Sequence, residues 1–154
     1  MTAFMGPVRV LIVDDVPGLR RLLRFVLGTD KLFEVVGEAP DGLSAIEAAA
    51  RLHPEMVLLD LSMPTMDGLE ALPLIKETSP ESSVVVFSGF MEDRMGPMAL
   101  SLGAVGYMEK GGTPEQILAE LRKVVMATRK PESVVRFNAG PGTPVGPADY
   151  KRSV

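Results

Sequence analysis

The stretch Met56-Val57-Leu58-Leu59-Asp60-Leu61-Ser62-Met63-Pro64 (MVLLDLSMP) sets four apolar residues directly before a carboxylate and a proline turn. A short apolar run without polar alternation reads as a strand buried on both faces, the pattern of parallel sheets covered by helices. Burying an unpaired Asp at its end would cost roughly several kcal/mol, so the charge of Asp60 must be compensated or used.

Outward from this run, four more strand-length apolar segments follow the same pattern: Val8 to Val13, Phe33 to Val36, Val84 to Phe87, and Ala104 to Met108. Between them Leu19, Leu22, Leu23 and Val26, then Leu43, Ile46 and Ala50, and finally Ile117, Leu118, Leu121, Val124 and Val125 recur at helical spacing. Five strands alternating with five helices predict an α/β fold, a flavodoxin-like doubly wound (βα)5 sandwich on a parallel five-stranded sheet of order 2-1-3-4-5. Thr113-Pro114-Glu115-Gln116 reads as a capping box opening the last helix, Asp41 as a helix N-cap and Gly103 as a helix stop. Pro73 falls inside the third helix and Gly96-Pro97 inside the fourth, which predicts one helix delayed or kinked and the other short. Residues 1–7 read as an N-terminal extension and 8–130 as the domain. Pro131 to Val154, with four Pro and three Gly in 24 residues, reads as a flexible tail.

Composition narrows the chemistry. The 154 residues, 46% hydrophobic, suffice for one domain with a sizeable core. A net charge of -4, spread without basic blocks, argues against direct nucleic-acid or anionic-membrane binding. With no cysteine and one histidine, disulfides, thiolate catalysis and Cys- or His-rich metal sites are excluded, and a cytoplasmic address is expected. His53, before Pro54 at a helix end, is expected to be exposed. Neither a signal-peptide pattern nor a membrane-length apolar run is present.

In a sheet of this order, ligands bind outside the carboxyl ends of the strands where the order reverses. Asp14 and Asp15 follow the first strand and Asp60 ends its neighbour, so three carboxylates share one cleft. Two such charges about 4 Å apart repel by roughly 4 kcal/mol at an effective dielectric near 20. A hard divalent ion relieves that repulsion, and an all-oxygen site with room for water suits Mg²⁺. Ser88 ends the fourth strand with a hydroxyl and Lys110 follows the fifth with an ammonium. A cation, an ammonium and a hydroxyl around one carboxylate suit phosphoryl transfer, with Asp60 as the nucleophile and an acyl phosphate as the product.

The motifs LIVDD, LLDLSMPTMDG, FSG and YMEKG together resemble those of a receiver domain of bacterial two-component response regulators, over roughly Arg9 to Thr128. The resemblance implies a phosphorylation-activated, chemotaxis-regulator-like switch, not an enzyme beyond its own phosphotransfer and dephosphorylation. It implies that Asp60 is the phosphoacceptor, Asp15 a direct Mg²⁺ ligand, Asp14 an outer or water-mediated one, and Ser62 a ligand through its backbone carbonyl. It also implies that Ser88 and Lys110 hold phosphoryl oxygens, that Tyr107 is the aromatic that repositions with Ser88, and that Met63, Pro64, Asp67 and Gly68 shape the loop beyond Asp60. The partners implied are a sensor histidine kinase or phosphotransfer protein, and a downstream protein meeting the face of the fourth helix, fifth strand and fifth helix; a homodimer is compatible with it. One departure stands out: Gly111-Gly112 follows Lys110 where the family commonly has Pro, so no cis bond is expected there.

Other functions fit less well. An Asp-nucleophile phosphohydrolase usually carries a second Asp two positions on, where this chain has Ser62. A flavin phosphate site would need N–H donors where the chain has the acidic loop DDVPG. A receiver-like scaffold that is never phosphorylated has no use for the full set of Asp14, Asp15, Asp60 and Lys110. Within residues 91–102, the Gly-Pro pair predicts a loosely held fourth helix that reorders on phosphorylation.

Overall fold

The structure, a computed structural model, describes residues 6–138, with side chains as far as Arg129. In chain order the elements are β1 (Val8–Val13), α1 (Pro17–Gly28), β2 (Phe33–Ala39), α2 (Gly42–Leu52), β3 (Met56–Leu59), α3 (Gly68–Thr78), β4 (Ser83–Ser88), α4 (Glu92–Ser101), β5 (Gly106–Glu109) and α5 (Pro114–Asn138). All strand pairs are parallel and the order is β2-β1-β3-β4-β5, the topology expected from the sequence. The chain leaves β2 at one edge, passes over β1 and enters β3, so the reversal point lies between β1 and β3.

Period-two alternation within the apolar strands builds two cores, one on each sheet face. Leu11, Val13, Val57, Leu59, Val84 and Val86 point toward α2, α3 and α4. Val10, Ile12, Met56, Leu58, Val85 and Phe87 point the other way, onto Leu23 and Leu27 of α1 and Leu121 of α5. Every residue of β3 is buried, which is why the run shows no polar alternation.

Helix ends follow local chemistry. Thr113 and Gln116 exchange the two expected capping-box bonds, at 3.1 and 2.9 Å. Asp41 accepts from the Ser44 N–H at 2.8 Å, and Gly103, just past α4, takes φ +114°. A second capping box, Asp67 with Glu70, opens α3. His53 is exposed and left-handed, with φ 45° at the end of α2.

Several boundaries differ from the sequence reading. β2 runs on to Ala39 because, as an edge strand, it tolerates Gly37 and the outward-facing Glu38. β5 starts at Gly106, not Ala104. Pro73 and Pro97 each sit at the sixth position of a helix that continues past them; α3 begins only at Gly68 and α4, at 10 residues, is the shortest. α5 runs through Pro131 to Asn138, taking in the first eight residues of the segment expected as a tail. A proline removes one helical N–H bond, a loss that one helix can survive. Residues 139–154 of that tail, and 1–5 of the N-terminal extension, lie outside the described residues. Among the described residues, no helix is long and apolar enough to cross a membrane.

Gly68 is where the α3 entry touches the sheet. Its N–H donates to the Leu61 carbonyl at 3.0 Å, and a Cβ there would collide with the Asp60 carbonyl and lie 2.8 Å from Leu61 Cα. Gly68→Ala should therefore cost about 1–3 kcal/mol in urea unfolding. Gly28→Ala, with nothing within 4 Å of the new methyl, should be neutral or slightly stabilising.

Candidate functional site

Two backbone bonds extend the ladders of β1 with β2 and of β1 with β3 past the strands and fix the acidic residues. The Asp14 N–H donates to the Ala39 carbonyl at 3.0 Å, and the Asp60 N–H to the Val13 carbonyl at 2.9 Å. Asp14 and Asp60 are accordingly buried, at 1% and 3% exposure. One carboxylate oxygen from each of Asp14, Asp15 and Asp60 lies within 4.8 Å of the others. Such an all-oxygen trio fits a hard divalent cation of the Mg²⁺ type and does not fit a soft metal.

Lys110 closes the ring. Its Nζ lies 2.9 Å from Asp14 Oδ2 and 3.4 Å from Asp60 Oδ1, while its N–H donates to the Ser88 carbonyl at 2.8 Å. Gly111 follows with φ +109°, open to glycine and closed to the family's usual proline, and no cis peptide occurs among the described residues. Burial, and then the charge of Asp14, push the Asp60 carboxyl above the usual Asp range against the pull of Lys110. Burial lowers the Lys110 ammonium, but its bond to Asp14 and the charges of Asp60 and Asp14 outweigh that and raise it, so it stays charged. The Val16 N–H donates to Asp14 Oδ1 at 2.9 Å and the Ser62 N–H to Asp60 Oδ1 at 3.3 Å. A cleft of about 440 Å³ opens here, with Asp15, Asp60, Ser62, Phe90 and Lys110 in its walls.

Ser88 and Tyr107 adjoin the cleft through Phe90, which lines it. Ser88 keeps the parity of Val84 and Val86, is fully buried, and accepts the Phe90 N–H at 3.1 Å. Tyr107 packs half-buried on the same core and donates its hydroxyl to the Phe90 carbonyl at 2.8 Å. The two residues thus hold opposite ends of one residue, Phe90. Nothing in the sequence marks Phe90 for that place.

Arg20 was also illegible. From the first turn of α1 it donates to the Asp14 carbonyl at 2.6 Å and to Glu38 Oε1 at 3.0 Å, while Arg24 holds Glu38 Oε2 at 2.6 Å. Bonding to Arg24 outweighs burial and, with Arg20, keeps the Glu38 carboxyl below the usual range. The β1–α1 turn is therefore clasped from outside by a charged group.

Comparison with known proteins places these features in context. The family described as response regulator receiver domain matches residues 10–122. The chain is 39% identical over 117 residues to the nitrate/nitrite response regulator protein NarL of Escherichia coli (strain K12), covering 76% of this chain and 54% of that protein. It is 34% identical over 116 residues to the chemotaxis protein CheY of Thermotoga maritima, covering 75% of this chain and 96% of that one. The crystal structure of the response regulator domain of Thermotoga maritima CheB superposes with a TM-score of 0.71 at 32% identity, covering 79% of this chain and 96% of that one. The chain spans about half the length of NarL.

Carboxylate crowding has a measurable cost. Because the native Asp60 keeps its proton at pH values where the unfolded chain has lost it, the native state binds more protons there. Stability then falls as pH rises from the ordinary Asp value of 3.8 through the raised one. In metal-free buffer at pH 7, Asp60→Asn should therefore be more stable than wild type, and added Mg²⁺ should narrow the gap. Urea unfolding of both proteins between pH 3.5 and 8 checks the sign.

Proposed function

Since the chain belongs to the response regulator receiver family, we propose that it is a phosphorylation-activated signalling switch whose phosphoacceptor is Asp60. The observation that carries this reading is the buried Asp60 carboxylate at the cleft, ringed by Asp14 and Asp15 within 4.8 Å and by the Lys110 ammonium at 3.4 Å. One Asp60 oxygen attacks the phosphorus of a phosphohistidine on a sensor kinase or phosphotransfer protein. The P–N bond breaks, the imidazole leaves with the electron pair, and a P–O bond to Asp60 forms. Asp14, Asp15, Asp60 and the Ser62 backbone carbonyl would hold Mg²⁺, which when bound neutralises charge on the phosphoryl oxygens.

Lys110 supplies a second positive charge and exchanges its Asp14 contact for a phosphoryl oxygen. Ser88 turns its hydroxyl to another, and so ceases to accept from Phe90. The phosphoryl group adds about -1.5 to -2 charge and three acceptors, which is what draws both donors. With Phe90 released, Tyr107 loses its fixed partner and repositions. The modification shifts a pre-existing equilibrium and so alters the α4-β5-α5 face, where a downstream protein binds. The chain acts in the cytoplasm and catalyses only its own phosphotransfer and dephosphorylation.

Incubation of wild type with Mg²⁺ and acetyl phosphate should add one phosphoryl mass by intact mass spectrometry. Asp60→Asn should gain nothing, and omission of the metal should abolish the gain; a wild type that stays unmodified under every metal overturns the proposal. A second expectation concerns α4, whose buried residues are only Gly96 and Ala99. With so little side chain anchoring it, its amides should exchange quickly and change protection on phosphorylation. Slow, unchanged exchange across residues 91–102 in both states would remove α4 from the switch.

A further inference from the structure

Of the three carboxylates at the cleft, Asp15 is the least restrained. Asp14 Oδ1 accepts the Val16 N–H and Asp14 Oδ2 meets Lys110, while Asp60 Oδ1 meets Lys110 and accepts the Ser62 N–H. Among the described residues, no hydrogen bond or ion pair reaches the Asp15 side chain. Its carboxylate nevertheless lies within 4.8 Å of the other two. The backbone that carries it therefore sets its place.

That backbone is gripped by Arg20. Its Nη1 donates to the Asp14 carbonyl at 2.6 Å, and this oxygen belongs to the same planar peptide as the Asp15 N–H. Arg20 Nε donates to Glu38 Oε1 at 3.0 Å, while the neighbouring Ala39 carbonyl accepts the Asp14 N–H at 3.0 Å. The end of β2 thus holds Asp14 twice, once directly and once through the guanidinium fork. The charge of Arg20 is ill placed for any other purpose. A cation in the first turn opposes the helix dipole, and α1 has neither an acidic residue in that turn nor a side-chain cap at Val16 to offset it. A cation near a metal site also repels the metal. What Arg20 supplies is geometry.

We infer that Arg20 is a positioning residue for the metal: by fixing the peptide between Asp14 and Asp15 it pre-orients the Asp15 carboxylate, and Glu38 in turn fixes Arg20. The inference rests on the Mg²⁺ site of the function proposed above. Loss of grip and loss of charge act with opposite sign on cation affinity, so the two can be told apart. Arg24 supplies the comparison, because it carries the same charge and bonds the other Glu38 oxygen at 2.6 Å, but does not hold the Asp14 carbonyl.

Calorimetric titration of Mg²⁺ into the metal-free full chain, with amide NMR spectra along the titration, is the test. Arg20→Met should bind Mg²⁺ roughly tenfold more weakly than wild type, although it removes a repelling charge. Arg20→Lys keeps the charge without the fork, and should lie closer to Arg20→Met than to wild type. Arg24→Met should stay within about twofold of wild type. With acetyl phosphate present, the Mg²⁺ concentration that half-saturates phosphorylation should rise in Arg20→Met by the same factor as the affinity falls, while the rate at saturating Mg²⁺ falls much less. Should Arg20→Met lose the dispersed amide spectrum of the folded chain, Arg20→Lys decides. Wild-type or tighter Mg²⁺ binding in the folded Arg20 variants, or an equal loss in Arg24→Met, would overturn the inference. So would a slower saturated rate with no change in Mg²⁺ affinity. If wild type binds Mg²⁺ but gains no phosphoryl group, the proposed switch fails and the affinity comparison still decides the role of Arg20. If wild type is phosphorylated and Arg20→Met binds Mg²⁺ as tightly as wild type, only the present inference fails.

Discussion

The backbone bond from the Asp60 N–H to the Val13 carbonyl is the constraint on which the site depends. It carries the β1–β3 ladder one residue beyond the apolar strands, so that two carboxylates are buried side by side at the reversal point of the sheet. The hydrophobic cores on the two faces supply the free energy to hold them there, since burying apolar strands is favourable enough to carry a few unfavourable charges along. The ammonium of Lys110, brought in from the end of β5, meets both charges at once.

Around that pair the remaining features act as restraints on geometry. Arg20 and Glu38 grip the β1–α1 turn by its carbonyl, while Gly68 lets α3 begin against the backbone of Asp60. The Asp67–Glu70 box fixes the first turn of that helix, and Gly111 takes a conformation that lets Lys110 turn back over the strand ends. Each of these residues acts on the backbone next to a reactive group, not on the group itself.

Most of the fold was legible because the sheet is buried on both faces: strands such as MVLL and VVVF read as unbroken apolar runs, and the capping residues Asp41 and Thr113 announce the helices. The half-exposed edge strand was the exception, because Gly37 and Glu38 look like a turn until β1 is beside them. Asp14, Asp15, Asp60, Ser88 and Lys110 were legible for a related reason, as polar residues placed where apolar strands stop. Arg20 and Phe90 were not, since one acts by touching a carbonyl and the other by its own peptide groups. Tyr107 carried meaning only through the resemblance of its motif. Pro131 misled because proline penalises a helix locally, whereas the continuation of α5 is decided by the whole helix.

The split of the strand residues by parity has one more consequence. Asp14, Asp60 and Lys110 form their ion pairs at the strand ends, while Ser88 and Tyr107 belong to the α2–α4 side of a sheet whose central strands are closed on both faces. The two sets meet at Phe90, which Ser88 and Tyr107 both hold and which lines the cleft. A substitution at Ser88 or Tyr107 therefore acts on the cleft through Phe90. The side chains packed on the two faces can otherwise vary together with the helices that cover them, while the carboxylates at the strand ends keep their places.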